Sequence, residues 1–183
     1  MSRRIWLAIV AVLGVGGLLQ GQDQAPPSNY EHLKSLEWFI GEFKCEMTAD
    51  KDQGAVKKGD KLTMTASRKW ALNKNAIAFS LKRSTASATV SEVAGMFGWD
   101  PAAKQIMAYG FNSDGGHGMV RLSSKDGKWY SKIKGLNPEG KPFSFTTVFS
   151  EITRDSYVTQ RIDWTEGGEK LPDDEKLTWT RVK

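Results

Sequence analysis

Ten short stretches in which apolar and polar residues alternate fill nearly the whole chain from Glu42, interrupted every ten to fourteen residues by Gly, Asp, Asn or Pro. A period of two sends successive side chains to opposite faces of an extended strand, so each stretch reads as a strand with one greasy face. The stretches begin at Glu42, Lys61, Ala76, Thr89, Gln105, Gly118, Gly127, Lys141, Ser156 and Glu175. Connections such as Asp100-Pro101, Asp114-Gly115-Gly116, Asp126-Gly127 and Asn137-Pro138-Glu139-Gly140 carry hairpin turn chemistry, which makes neighbours in sequence neighbours in space. An open sheet of that width would leave two long unpaired edges, and closure removes them. The pattern therefore predicts an all-β fold, an antiparallel up-and-down barrel of about ten strands.

The front of the chain has a different character. Residues 1–21 read as a secretory signal peptide: Arg3 and Arg4 open it, an apolar run extends from Ile5 to Leu19, and small residues follow. That run is broken by Gly14, Gly16 and Gly17 and falls short of the ~20 residues that span hydrocarbon. Export to the periplasm or medium, without stable membrane insertion after cleavage, is the expectation. Residues 22–28 form a polar, Pro-containing linker, and 29–183 the barrel domain. Ser28 with Glu31 has capping-box spacing, ahead of Leu33, Leu36, Phe39 and Ile40 on one helical face. A short helix closing one end of the barrel, stopped by Gly41, is predicted.

Composition narrows the chemistry. The net charge of +5 includes Arg3 and Arg4 of the leader, and the densest basic cluster, Lys57, Lys58 and Lys61, lies in a Gly-flanked turn beside Asp60. No face gathers Lys and Arg with stacking aromatics in the sequence pattern, so nucleic acid is not an expected partner. The single cysteine, Cys45, excludes an internal disulfide and shares parity with Phe43 and Met47, which marks it as a small buried hydrophobe. The two histidines, His32 in the helix and His117 in a glycine-rich turn, cannot complete a metal site with one Cys, and no residue after His117 could act as an axial haem ligand. No cofactor and no metal are expected.

Parity also nominates an interior. Leu62, Met64 and Ala66, then Ile77, Phe79 and Leu81, then Trp129 and Ile133, then Phe143, Phe145 and Phe149 form the inward set. The same parity carries Arg68, Arg83 and Glu92, the last between Val90 and Ala94. A buried unpaired charge costs several kcal/mol, so these must reach the rim, pair, or line a wet cavity.

Three segments add a resemblance: LEWFIGEFKCE from Leu36, GWDPAAKQIMAYGFNSDGGHG from Gly98, and the closing EKLTWTRVK. From Leu33 onward the chain resembles the calycin-type, lipocalin-like barrels of exported bacterial proteins, a domain of unknown function also found attached to SnoaL-like or NTF2-like domains. In lipocalin-like barrels the opening aromatic, usually Trp, packs under a basic residue of the last strand. The resemblance places Phe43 and Arg181 in those roles, a cation–π closure of about 0.5–2 kcal/mol. It carries over no catalytic residue.

The first functional reading is thus a non-catalytic binding or accessory barrel for a small, largely apolar ligand. Phe79, Trp129, Phe143, Phe145 and Phe149 would surround the ligand, and Arg83 or Glu92 would orient it. A second reading is a cell-envelope enzyme using carboxylates such as Glu92, Glu151, Asp155 and Asp163 with interior Arg groups. In a third, the barrel is packed solid and outer aromatics Tyr109, Phe111 and Tyr130 meet a protein partner.

Overall fold

The computed structural model describes residues 28–49, 52, 54 and 56–182; the leader and most of the linker lie outside them. After a single turn of helix, α1 (Tyr30–Leu33), and a 3-10 segment (Lys34–Phe39), the chain enters an unbroken antiparallel series. The strands are β1 (Gly41–Thr48), β2 (Lys61–Ala71), β3 (Ala76–Ser84), β4 (Thr89–Asp100), β5 (Gln105–Asn112) and β6 (His117–Lys125). They continue with β7 (Lys128–Leu136), β8 (Pro142–Ser150), β9 (Ser156–Glu166), the two-residue β10 (Glu169–Lys170) and β11 (Leu177–Arg181). Each of β1 to β8 pairs with its successor, β8 pairs with β9, β9 with β11, and β11 returns to β1. The sheet is a closed ring of ten strands. β10 and β11 lie end to end along the same edge of β9, opposite Glu166–Thr165 and Thr159–Ser156 respectively. Together they are one strand interrupted at residues 171–176.

Two ladders carry an extra residue. Between β3 and β4 the register slips at the Arg83–Ser84 step, where Arg83 faces Ser91 and Ser84 faces Thr89, leaving Val90 supernumerary. Between β8 and β9 it slips between Ser144 and Thr146. There Asp163 takes a φ of 53°, which lets the extra residue of β9 loop outward. A bulge reverses the parity of everything beyond it on its own strand, and both bulges sit beside interior arginines.

The lid forms as expected, with a different cap. Ser28 Oγ accepts a hydrogen bond from the Tyr30 N–H at 3.2 Å, but Glu31 turns outward to Lys34 at 2.6 Å, so the reciprocal half of the capping box is absent. With only one α-turn to cap, the chain is held instead by the Asn29 N–H donating to Asn75 Oδ1 of the β2–β3 hairpin at 2.7 Å. Leu33, Leu36 and Phe39 point down into the barrel and are almost completely buried. They meet Phe43, Cys45, Ala66, Ile77, Phe97, Ile106, Ala108, Leu122, Phe149, Tyr157 and Trp179 in one cluster. Each fully buried large apolar side chain contributes roughly 1.5–3 kcal/mol, so this end of the barrel supplies most of the hydrophobic stabilisation.

Candidate functional site

The lumen divides into a filled half under the lid and a looser half at the other end. In the filled half the Phe39 ring meets Phe149 edge-on at 5.3 Å, and Tyr157 lies against Phe43 at 4.9 Å. The Arg68 guanidinium, which parity places inside, sits 3.5 Å from the Phe39 ring centroid and donates to Tyr157 Oη at 3.2 Å. Burial lowers the Arg68 pKa and raises that of Tyr157. The Cys45 thiol is pushed up to about 12, chiefly by burial and then by Glu46. It is an inert hydrophobe at neutral pH.

Arg181 closes this end. Its guanidinium lies 4.5 Å from the Phe43 ring centroid and donates to the Ile40 carbonyl at 2.7 Å, the Trp38 carbonyl at 3.3 Å and the Arg154 carbonyl at 2.9 Å. It thereby satisfies carbonyls at the end of the 3-10 segment and ties the last strand to the first. Gly41, at φ 121°, has no side chain because a Cβ there would collide with Arg181 Nη1. His32 stacks flat on Trp99 at 3.9 Å, covering the lid edge.

The looser half is built from β3, β4, β8 and β9. Phe79, Leu81 and Arg83 share one face of β3, opposite Gly95, Val93 and Ser91 of β4. Phe143 and Phe145 stack at 5.9 Å on β8, and all of these remain half-buried. Between them runs a row of glycines in direct register across four strands, Gly95, Gly110, Gly118 and Gly135. A Cβ at Gly95 would stand 2.6 Å from the Phe79 ring, and one at Gly135 would stand 2.7 Å from the Phe143 ring. The two phenylalanines therefore lie on bare backbone from either end of the row, which lets the wall bend and brings the rings close to the sheet.

Arg161 of β9 completes this half. It shares parity with the buried Tyr157 and Thr159, stacks its guanidinium 3.8 Å from the Trp164 ring and 5.3 Å from Phe145, and pairs with Asp174 at 2.8 Å. The interrupted strand makes that pair possible: the Asp174 N–H donates to the Arg161 carbonyl at 2.9 Å, and Asp173 Oδ1 accepts the N–H of the bulged Asp163 at 3.0 Å. The Arg83 pKa is lowered, first by burial and then by the positive charge of Arg161. The Arg161 guanidinium thus acts on that of Arg83 beside an aromatic wall.

Arg83 also lines a cleft of about 660 Å³ at the rim, with Asp60, Lys61, Asp114 and the β3–β4 turn from Thr85 to Ser91. A second, shallower cleft of about 460 Å³ lies beside the lid between Trp99 and Trp129.

The sequence-nominated residues separate accordingly. Phe79, Arg83, Phe143 and Phe145 lie on the walls of the looser half, with Phe79 at its border, 4.9 Å from Phe97 of the filled cluster. Trp129 and Phe149 are paired across strands at the lid end, where Phe149 is 8% exposed and packs on Phe39, so they do not share that space. Glu92 is corrected outright. It faces Lys82 across the ladder on the outer wall, in an ion pair of 3.6 Å, because the extra residue Val90 reverses the strand's parity just before it. Glu151, Asp155 and Asp163 are exposed at turns or at the bulge, so these four carboxylates do not converge. Parity alone could have found Arg161; Asp174 gave no periodic signal because it lies in the strand interruption.

Among the described residues no cluster of His, Cys, Asp and Glu could hold a metal ion, and no helix is long and apolar enough to cross a membrane. Together the ring of strands and the helical lid define the class, a closed antiparallel β-barrel. Comparison of the chain with protein-family models and with curated proteins finds no match.

Proposed function

We propose that this chain is a non-catalytic binding barrel of the calycin type, exported after removal of its leader, whose looser half takes a small, largely apolar ligand through the rim cleft. The supporting observation is the position of Arg83. It belongs at once to the 660 Å³ rim cleft and to the wall that carries Phe79 and Leu81. A cleft of that volume falls within the range that holds small organic ligands. The cleft sets Arg83 and Lys61 beside Asp60 and Asp114, so groups of both signs orient the polar end of an otherwise apolar ligand.

Titration with a fluorescent fatty-acid analogue tests the reading. Trp164, in contact with Arg161, reports occupancy through its emission. Saturable quenching that weakens at least tenfold in Arg83→Gln, with the melting temperature preserved, is expected. Failure of a panel of anionic and neutral apolar probes to quench would remove the proposal.

A further inference from the structure

The outer wall of the barrel is asymmetric in charge. Between Gln105 and Ser150 the only acidic residues are Asp114, Asp126 and Glu139, and all three lie in turns. The outward faces of β5 to β8 therefore hold no carboxylate. They do hold Arg121, Lys132 and Lys134, all exposed and in no ion pair among the described residues. Arg121 and Lys132 are direct cross-strand partners. Like charges placed opposite one another on a sheet weaken it, so the arrangement contributes nothing to folding.

The same wall exposes apolar groups that a water-facing sheet would avoid. Phe111 is 67% exposed, Tyr109 56%, Met96 42% and Leu136 39%. Register makes them contiguous. Met96, Tyr109 and Met119 form one cross-strand row, which ends at Lys134; Phe111, His117 and Leu136 form the next. The wall of β1 to β3, with Glu92 at the start of β4, shows the ordinary alternative, with Lys44 near Glu46 at 3.9 Å and Lys82 near Glu92 at 3.6 Å.

From this combination we infer that the outer face of β5 to β7, with Met96 of β4 at its edge, docks on the surface of an anionic phospholipid bilayer. Interfacial Tyr, Phe, Met and Leu enter the headgroup and upper acyl region, while Lys and Arg beside them meet lipid phosphates. A bilayer suits the face better than a nucleic acid does. The wall is a convex sheet without a groove, and Met96 and Leu136 are aliphatic groups that gain from an acyl layer and offer no platform for stacking a base. The docking is peripheral, and the barrel lumen stays outside the membrane.

The test is co-sedimentation of the full chain with phosphatidylcholine vesicles, with and without phosphatidylglycerol. Binding should depend on phosphatidylglycerol and fall with added salt. Each neutralised cation should cost roughly fivefold, so Arg121→Gln, Lys132→Gln and Lys134→Gln together should weaken partitioning on the order of a hundredfold. Tyr109→Ser with Phe111→Ser should weaken it further at high salt, where the apolar contribution remains. The apolar run Ile5–Leu19 is common to the parent and every variant, so the difference between them reads the face alone. All five substitutions lie on the outer wall; they should not lower the melting temperature and should leave probe binding in the lumen unchanged. Equal partitioning of parent and triple-Gln chains would overturn the inference. So would binding to duplex DNA or polyglutamate that is as tight, at the same salt, as binding to the anionic vesicles.

Discussion

The two halves of the lumen use the same strands to opposite ends. Under the lid, Phe43, Leu33, Leu36, Ile77 and Tyr157 are almost wholly removed from water, and the charged groups present, Arg68 and Arg181, stack on rings and donate to oxygens. In the looser half the aromatics stay half-buried, a row of glycines replaces side chains, and two arginines lie near enough for one to depress the pKa of the other. Burial is concentrated in the first half, whereas the second has only the small cluster of Ala49, Val56 and Leu62 beside its half-buried aromatics and two arginines.

Substitutions that separate the halves follow in order of expected size. Phe39→Ala should cost about 3–5 kcal/mol, since it opens a cavity among Phe149, Phe97 and Tyr157 and removes the ring beneath Arg68. Phe145→Ala should cost well under half as much, because its ring is already partly exposed. Urea denaturation of both variants measures the contrast, and equal losses would erase it.

Alkaline pH probes the same half. Cys45 has a folded pKa raised to about 12 from an ordinary 9, so folding favours the protonated thiol. Its contribution is fully present below pH 9. Above that the unfolded chain releases the proton and the folded one keeps it, and stability falls by up to about 1.4 kcal/mol per pH unit until pH 12. Burial acts on Tyr157 in the same direction. Cys45→Ala should flatten the decline, and a thiol reagent should label the parent chain only on unfolding.

Arg181→Ala removes the stacking on Phe43 and leaves the Trp38 and Ile40 carbonyls without their donor. A loss of about 1–3 kcal/mol is expected, seen as a lower melting temperature with the folded circular-dichroism spectrum intact. An unchanged melting point would remove its closing role.

The smallest effect is expected at Arg83. Arg83→Leu in the looser half removes a desolvated charge in the field of Arg161 together with that side chain's own contacts. The two losses offset, so stability should change by less than about 1 kcal/mol. A loss above ~2 kcal/mol would show that Arg83 is structural, and would bring the two halves closer in character.

Much of this was legible in the chain. The positions of the alternating stretches match β1 to β9 and β11 to within a few residues, and hairpin turns at Asp100, Asp114, Asp126 and Asn137 set which strands adjoin. The inward parity of Phe79, Arg83, Phe143 and Phe145 could also be read. Glu92 could not, because one supernumerary residue, Val90, leaves no mark in composition yet exchanges the faces of everything that follows. Trp129 and Phe149 shared the right face at the wrong height. Parity fixes inside against outside and says nothing of distance along the barrel.

Sequence alone thus determined the closed sheet, its strand order and most of its inner surface, since these follow from pleating and turn chemistry acting over a few residues at a time. Tertiary structure decided which end the lid would fill, that the glycines of four strands would align into one row, and that Arg161 would find Asp174 across a broken strand. Those outcomes depend on stagger between strands and on bulges, which set how high each residue stands in the ring and couple segments that carry no common local signal.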